Sequence, residues 1–303
     1  VLADSMLIPF YPQFFEKVYR ENSLLITGIF IAVCRLAMII SFPFWSWLTK
    51  KVNPLKILMF TQGGAGIICI LCSFATTLQY FFLCTVIIEL LKSSYLLIYP
   101  YLVKTSEKDK RAAAISGISI ILNSGIVISA LAGGYFLEYL QPRYILIAVG
   151  CMDILQMLIS RYIRFTNFSI EETETVSEPD NTLGSMREFI LLCAITLLFY
   201  FAMVIIRPYY TLFLMDSYGG SIGITMAAFI FIIPNIVALL IAPFTVKLTG
   251  SFPIHILLIA CCGLMIIGTG MQIFPGVQQV MIVGRIIYGI GMFVCEVIEI
   301  GRA

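Results

Sequence analysis

Eight ionisable side chains stand inside long apolar runs of this 303-residue sequence: Asp4, Arg35, Glu89, Lys92, Asp153, Arg207, Arg285 and Glu296. In hydrocarbon such a group costs about 2.5–3.5 kcal/mol on insertion scales, so each needs a partner, a water-filled cavity or a task. Helical spacing indicates which of them could act together. At about 100° per residue, Glu89, Lys92, Tyr95 and Tyr99 share one stripe, and Arg285, Tyr288, Met292 and Glu296 share another. Tyr200, Arg207 and Tyr210 align in the same way, as does Asp4 with Tyr11. Carboxylates and cations beside tyrosine rings are the chemistry of a polar or amphipathic solute site. A carboxyl group in a cavity that wets from one side and then the other can load a proton from one bath and release it to the other. Glu89, with Asp4 second, is the expected coupling group.

Structural readings of the same residues stay open. Glu89 and Lys92 are three apart and could neutralise each other along one helix, or Lys92 could meet an anionic solute. Arg35 could pair with Asp4 or Asp153, and Arg207 could reach to the headgroups. Asn123, with Ser116, Ser119 and Ala130, forms a small polar face that serves either a cavity wall or close helix packing. Cys69-x-x-Cys72 has redox or zinc spacing but no second pair, and reads as core.

The elements that position these residues follow from composition. The chain is 60% hydrophobic and 12% charged, with mean hydropathy +1.00. A soluble domain is about half apolar and about a quarter charged, so this is a polytopic membrane protein. Net charge +2 lacks the dense basic stripe that nucleic acid requires. All nine cysteines fall in apolar runs and are expected to be small buried hydrophobes. Ten apolar segments are read near 1–15, 24–48, 55–76, 79–103, 112–138, 143–163, 187–215, 219–247, 253–274 and 279–301, numbered here spans 1–10. Alternate loops carry eleven Lys/Arg against three, which places Lys50, Lys51, Lys56, Lys104, Arg161 and Lys247 in the cytoplasm. Residues 165–186 are polar and acidic and read as a cytoplasmic linker between a six-span half, 1–164, and a second half, 187–303. The chain opens on Val1 and stops at Ala303 within apolar runs, so a piece of a longer protein with its N-terminus in the cytoplasm is expected.

Segments on either side of the linker repeat. Pro9-Phe10-Tyr11-Pro12-Gln13-Phe14 overlays Pro208-Tyr209-Tyr210-Thr211-Leu212-Phe213, and Pro43-Phe44 overlays Pro243-Phe244. Lys50-Lys51-Val52-Asn53 corresponds to Lys247-Leu248-Thr249-Gly250. Parallel halves with a binding site between them are a transporter architecture. The pattern resembles the major facilitator superfamily over the whole chain. That family's Gly-x-x-x-Asp-Arg/Lys-x-Gly between spans 2 and 3 is represented by Ser46-Trp-Leu-Thr-Lys50-Lys51-Val-Asn53, with a lysine where the acid stands. Its Arg-x-x-Gln-Gly-x-Gly has a counterpart in Arg285-Ile-Ile-Tyr288-Gly289-Ile-Gly291, and Gly125-x-x-x-Ser129-Ala130-x-x-Gly133-Gly134 is similar to its antiporter pattern.

The resemblance implies an all-α fold of two parallel six-helix halves, with spans 1, 4, 7 and 10 lining the cavity. It implies a gating loop at Ser46, Lys50, Lys51, Asn53, Lys247 and Gly250. The reading is a secondary transporter in the inner or plasma membrane that moves a small polar or amphipathic solute by alternating access. It is proton-coupled, tilts toward efflux, is monomeric and needs no cofactor. An uptake symporter or uniporter of this fold, and a sensor that binds without transport, are the alternatives. One histidine, no His-Glu-x-x-His and no Gly-x-Ser-x-Gly argue against a membrane enzyme.

Overall fold

The computed structural model describes residues 2–97, 111–165, 186–251, 253–274 and 278–300, and the regular structure there is helical. Tyr99 and the interior of the expected linker, 166–185, lie outside the described residues. Among the described residues, eight helices are long and apolar enough to cross a membrane: Leu24–Leu48, Pro54–Cys72, Leu78–Leu97, Ile120–Tyr139, Tyr144–Tyr162, Ile224–Ala242, His255–Gln272 and Gln278–Cys295. They are spans 2–6 and 8–10. Local chemistry sets their starts. Ser23, Asn53 and Thr77 cap spans 2, 3 and 4 by accepting from the N–H groups of Ile26, Leu55 and Tyr80, and Pro54 occupies the first turn of span 3.

Spans 1 and 7 are broken. Span 1 runs Leu2–Leu7, tightens to a 3-10 turn at Ile8–Phe10, and resumes at Tyr11–Tyr19. Span 7 runs Met186–Val204, passes through turns at 205–209, and resumes at Tyr210–Ser217. Prolines cause both breaks: Pro9 and Pro12 in one, Pro208 in the other, each lacking an N–H to return to the preceding turn. The breaks alter two sequence expectations. Asp4 and Tyr11 are separated by a 3-10 turn, and Tyr200 is separated from Arg207 and Tyr210 by non-helical backbone, so neither stripe keeps the angle expected of an unbroken helix. Tyr200 is outward-facing, 44% exposed.

The expected loop at Lys247–Gly250 is also corrected. Span 8 continues as helix to Ser251, so Lys247 and Gly250 are helical. Hydropathy falls at Lys247, but backbone hydrogen bonding carries the helix on to Ser251.

Without a hydrophobic drive between helices in lipid, packing depends on close approach and van der Waals contact. Span 3 lies on span 6, span 5 on span 8 and span 9 on span 10. A Cβ added at Gly66 would stand 2.8 Å from the Gly150 carbonyl oxygen, and one at Gly150 would stand 2.6 Å from Ile70 Cγ1. Spans 3 and 6 therefore touch backbone to backbone. Tyr11, Phe14, Phe15, Phe30, Phe81 and Phe82 knit spans 1, 2 and 4, with Phe30 and Phe82 ring centroids 4.7 Å apart. Ile40, Phe60, Ile121 and Ile259 turn outward to lipid. So do Cys151, Cys193 and Cys262, whereas the other six cysteines are buried as expected. A thiol on a lipid face costs nothing, so apolar context alone did not place it inside.

Gly66→Val should separate spans 3 and 6 and lower unfolding stability by about 1–3 kcal/mol. Gly263→Ala, which meets nothing within 4 Å, should be neutral or slightly stabilising. Unfolding midpoints of the two variants in detergent provide the check.

Candidate functional site

The first site builds on spans 4 and 6. Lys92 ends the α-helical part of span 4, and from Ser93 to Leu97 the backbone tightens to a 3-10 helix. Side-chain contacts hold this change of pitch: Ser41 and Ser93 hydroxyls lie 2.6 Å apart, Thr61 and Ser94 hydroxyls 2.7 Å, and Trp45 Nε1 donates to the Leu90 carbonyl at 2.8 Å. Lys92 reaches across to span 6, where its Nζ lies 2.7 Å from Asp153 Oδ2, both side chains being 8% exposed. Asp153 stands nine residues, about 14 Å, into its helix, near mid-depth. Its orientation follows from the Gly66–Gly150 contact, which brings the Asp153 Cβ to 3.1 Å from the Cβ position of Gly66. Glu89, one turn before Lys92, is buried at 5% exposure.

Asp153, read from the sequence as a possible partner for Arg35, lies at ion-pair distance from Lys92. Arg35 is half-buried, and its Nη1 lies 3.9 Å from Met38 Sδ. Tyr95 is half-buried on the 3-10 segment, and Asn123 is buried in span 5.

A second site joins spans 7, 8 and 10. Pro234 sits within span 8 and has no N–H for the carbonyl four residues earlier, Ile230. Arg285 of span 10 supplies the missing donor: its Nε donates to Ile230 O at 3.3 Å and its Nη2 to Phe231 O. Gly289 lets the two helices come this close, since a Cβ there would stand 2.7 Å from Pro234 Cα. The guanidinium lies 4.2 Å from the Tyr210 ring centroid, 5.7 Å from Phe231 and 5.9 Å from Tyr288. The Tyr210 hydroxyl donates to Gln272 Oε1 at 2.9 Å, and Gln272 Nε2 donates to Gly268 O at 2.8 Å. Arg285 and Tyr288, read from the sequence as one stripe, thus lie beside Tyr210, which the sequence had aligned with Tyr200 and Arg207. Arg207 is half-buried in the break of span 7, and the side chains of Asp4 and Glu296 lie outside the described residues.

The third feature joins the helices before the linker to those after it, and its residues were not singled out from the sequence. Thr211 donates to the Pro9 carbonyl, so the two proline breaks meet. Gln13 bridges the same point: with its Oε1 facing Thr211, that oxygen lies 3.0 Å from the Thr211 hydroxyl and 3.2 Å from Leu212 N, while Nε2 lies 3.3 Å from Phe10 O. Leu212 N–H is in the first turn of its helix, where no helical acceptor exists. Tyr209 OH donates to Leu24 O at 3.2 Å. Glu138, at the end of span 5, accepts from Thr225 N at 2.6 Å and places its carboxylate at the start of span 8. These contacts lie at the end opposite the Lys50–Lys56 loop. There, Asn53 caps span 3 and the exposed Ser46, Lys50 and Lys51 line the turn, with the Lys51 Nζ 4.3 Å over the Trp47 ring.

Comparison with known proteins agrees with this architecture. The family model described as Major Facilitator Superfamily matches residues 1–298. A protein named Multidrug resistance protein MdtG from Escherichia fergusonii is 26% identical over 251 residues, 80% of this chain and 61% of that protein. Its namesake from Salmonella arizonae is 24% identical over 266 residues, 85% of this chain and 66% of that protein. The chain thus spans a little under two thirds of the length of these relatives. The crystal structure of nucleoside transporter NupG superposes with TM-score 0.65 at 14% identity, covering 97% of this chain and 76% of the other. That of a bacterial homolog to human lysosomal transporter Spinster, in an inward-facing and occupied conformation, superposes with TM-score 0.62 at 16% identity, covering 97% and 70%.

Asp153→Asn removes one member of a buried ion pair and should cost about 3–5 kcal/mol of unfolding free energy. The double substitution Lys92→Met with Asp153→Leu should recover most of it. A double variant no more stable than Asp153→Asn would show that the pair is not the interaction holding spans 4 and 6 together.

Proposed function

The chain belongs to the major facilitator superfamily, and from that premise we propose that the whole protein is a secondary transporter of a small polar or amphipathic organic solute. It works by alternating access, is coupled to protons and runs as an efflux antiporter. Residues 1–164 and 187–303 act as the two halves and 165–186 as their cytoplasmic linker. The observation that carries this reading is the placement of buried charge. Glu89, Lys92 and Asp153 lie deep in the first half and Arg285 deep in the second, among buried side chains that are otherwise apolar or uncharged. A membrane protein that only needed to fold would do so at lower cost without them.

The roles divide by chemistry. Arg285 with Tyr210 and Tyr288 offers a cation and aromatic faces to an anionic or aromatic part of the solute. Glu89 is the coupling carboxylate, and Lys92, held by Asp153, is the neighbouring charge that responds when Glu89 gains or loses a proton. The positive-inside pattern puts the Lys50–Lys56 loop in the cytoplasm. On that orientation Gln13–Thr211 and Glu138–Thr225 close the outer side, which makes this conformation inward-facing. Efflux is supported by the name of the MdtG relatives and by the glycine pattern at Gly125–Gly134.

The test uses full-length protein in liposomes containing a pH-sensitive dye, with small polar and amphipathic solutes added singly. A solute-specific pH change should appear, with a sign that identifies antiport, and Glu89→Gln should reduce it more than tenfold. Intact pH-driven accumulation in Glu89→Gln would remove that residue from the coupling role. Solute binding without flux would replace the transporter reading with a sensor.

A further inference from the structure

At the basic-loop end, spans 2, 3 and 4 leave a groove of about 300 Å³ between them. Trp45 and Leu48 of span 2, Ile57 and Phe60 of span 3 and Leu91 of span 4 form its walls, with Lys56 among the lining residues. Its indole wall is fixed, because Trp45 Nε1 already donates to Leu90 O. The groove lies on the outer face of the bundle: Phe60 is 64% exposed and the neighbouring Trp47 49%. Lys50 and Lys51 are exposed one turn away, Lys51 with its Nζ over the Trp47 ring. No acidic residue occurs in the sequence between Glu21 and Glu89, so within spans 2 and 3 Lys50, Lys51 and Lys56 form a cationic rim at the level where headgroups lie.

We propose that this groove is a binding site for one anionic phospholipid of the cytoplasmic leaflet. The phosphate is held by Lys56 with Lys50 and Lys51, and an acyl segment lies along Trp45, Ile57, Phe60 and Leu91. The two parts of the site call for one molecule that has both an anion and a hydrocarbon chain. A soluble phosphate would leave the apolar walls uncovered, and a neutral or zwitterionic lipid would not balance three lysines. Each lysine near an anionic headgroup contributes about fivefold in affinity. The family resemblance places Lys50 and Lys51 in a gating loop, and the transport reading gives no role to Trp45, Lys56, Ile57, Phe60 or Leu91 of the groove. The position also has a consequence: the occupant rests against the contacts Trp45–Leu90 and Thr61–Ser94, one turn from Lys92.

Trp45 and Trp47 are the two tryptophans of this chain, so fluorescence reports the site directly. Full-length protein carrying Trp47→Phe, with any tryptophan outside this chain also replaced by Phe, is reconstituted in phosphatidylcholine vesicles. Phosphatidylglycerol or phosphatidylcholine with brominated acyl chains is then added as a minor guest. Brominated phosphatidylglycerol should quench Trp45 at least fivefold more effectively than brominated phosphatidylcholine at equal content, and Lys56→Gln with Lys50→Gln should abolish the difference. Equal quenching by the two lipids would overturn the proposal, as would a preference that survives the lysine substitutions. Absence of quenching by either would show that another part of the protein covers the groove. Relief of quenching by inorganic phosphate at matched concentration would assign the rim to a free anion instead. Unchanged helical circular dichroism separates each result from misfolding.

Discussion

Hydrocarbon gives a backbone carbonyl nothing to bond to, and the rest of this structure depends on how that constraint is met where prolines interrupt the helices. An unsatisfied polar group in the bilayer core costs several kcal/mol. Near two of the prolines a carbonyl is taken by a side chain from a different span. The Pro9 carbonyl is taken by Thr211 and the Ile230 carbonyl by Arg285. At Pro234 the missing N–H creates the requirement that Arg285 meets, and at both places the contact that results is long-range. The Thr211 bond ties span 1 to span 7; the Arg285 bond ties span 8 to span 10 and sets the guanidinium against Tyr210.

Buried charge is handled in two ways. In the first set of helices, Lys92 and Asp153 meet at ion-pair distance, a geometry that depends on the bare backbones of Gly66 and Gly150. In the second, Arg285 is surrounded by carbonyl oxygens and ring faces, and no carboxylate lies within ion-pair distance of it among the described residues. A guanidinium suits that setting because its donors spread over several acceptors and its planar face stacks on tyrosine. Lys92 and Asp153 cancel each other's charge, whereas the partners of Arg285 among the described residues are neutral. That difference makes the two halves chemically unequal despite their repeated architecture.

Hydropathy was enough to place eight of the spans, because membrane thickness leaves few alternatives, and the family was legible in the repeated segments and motifs. The stripe containing Arg285 and Tyr288 was legible for the same reason: span 10 is an uninterrupted helix and keeps its angle. Tyr200 with Arg207 was misread because Pro208 resets the phase, and Gly250 was placed in a loop because hydropathy ends before the helix does. The Lys92–Asp153 pair was hidden, since it depends on which faces of spans 3, 4 and 6 approach one another. Gln13, Thr211 and Glu138 looked ordinary in sequence; the signal was present only in Gln13 and Thr211 flanking the repeated proline motifs.

The central claim is that the contacts around Gln13–Thr211 and Glu138–Thr225 form one side of a switch rather than a permanent seam. Spin labels at Gln141 and Ser221, both exposed beside that seam, allow the distance across it to be measured by double electron–electron resonance in the full-length protein. A short distance should dominate at rest, and a second, longer population should grow when solute or a pH gradient is supplied. A single distance, unchanged by solute and by pH, would contradict the account.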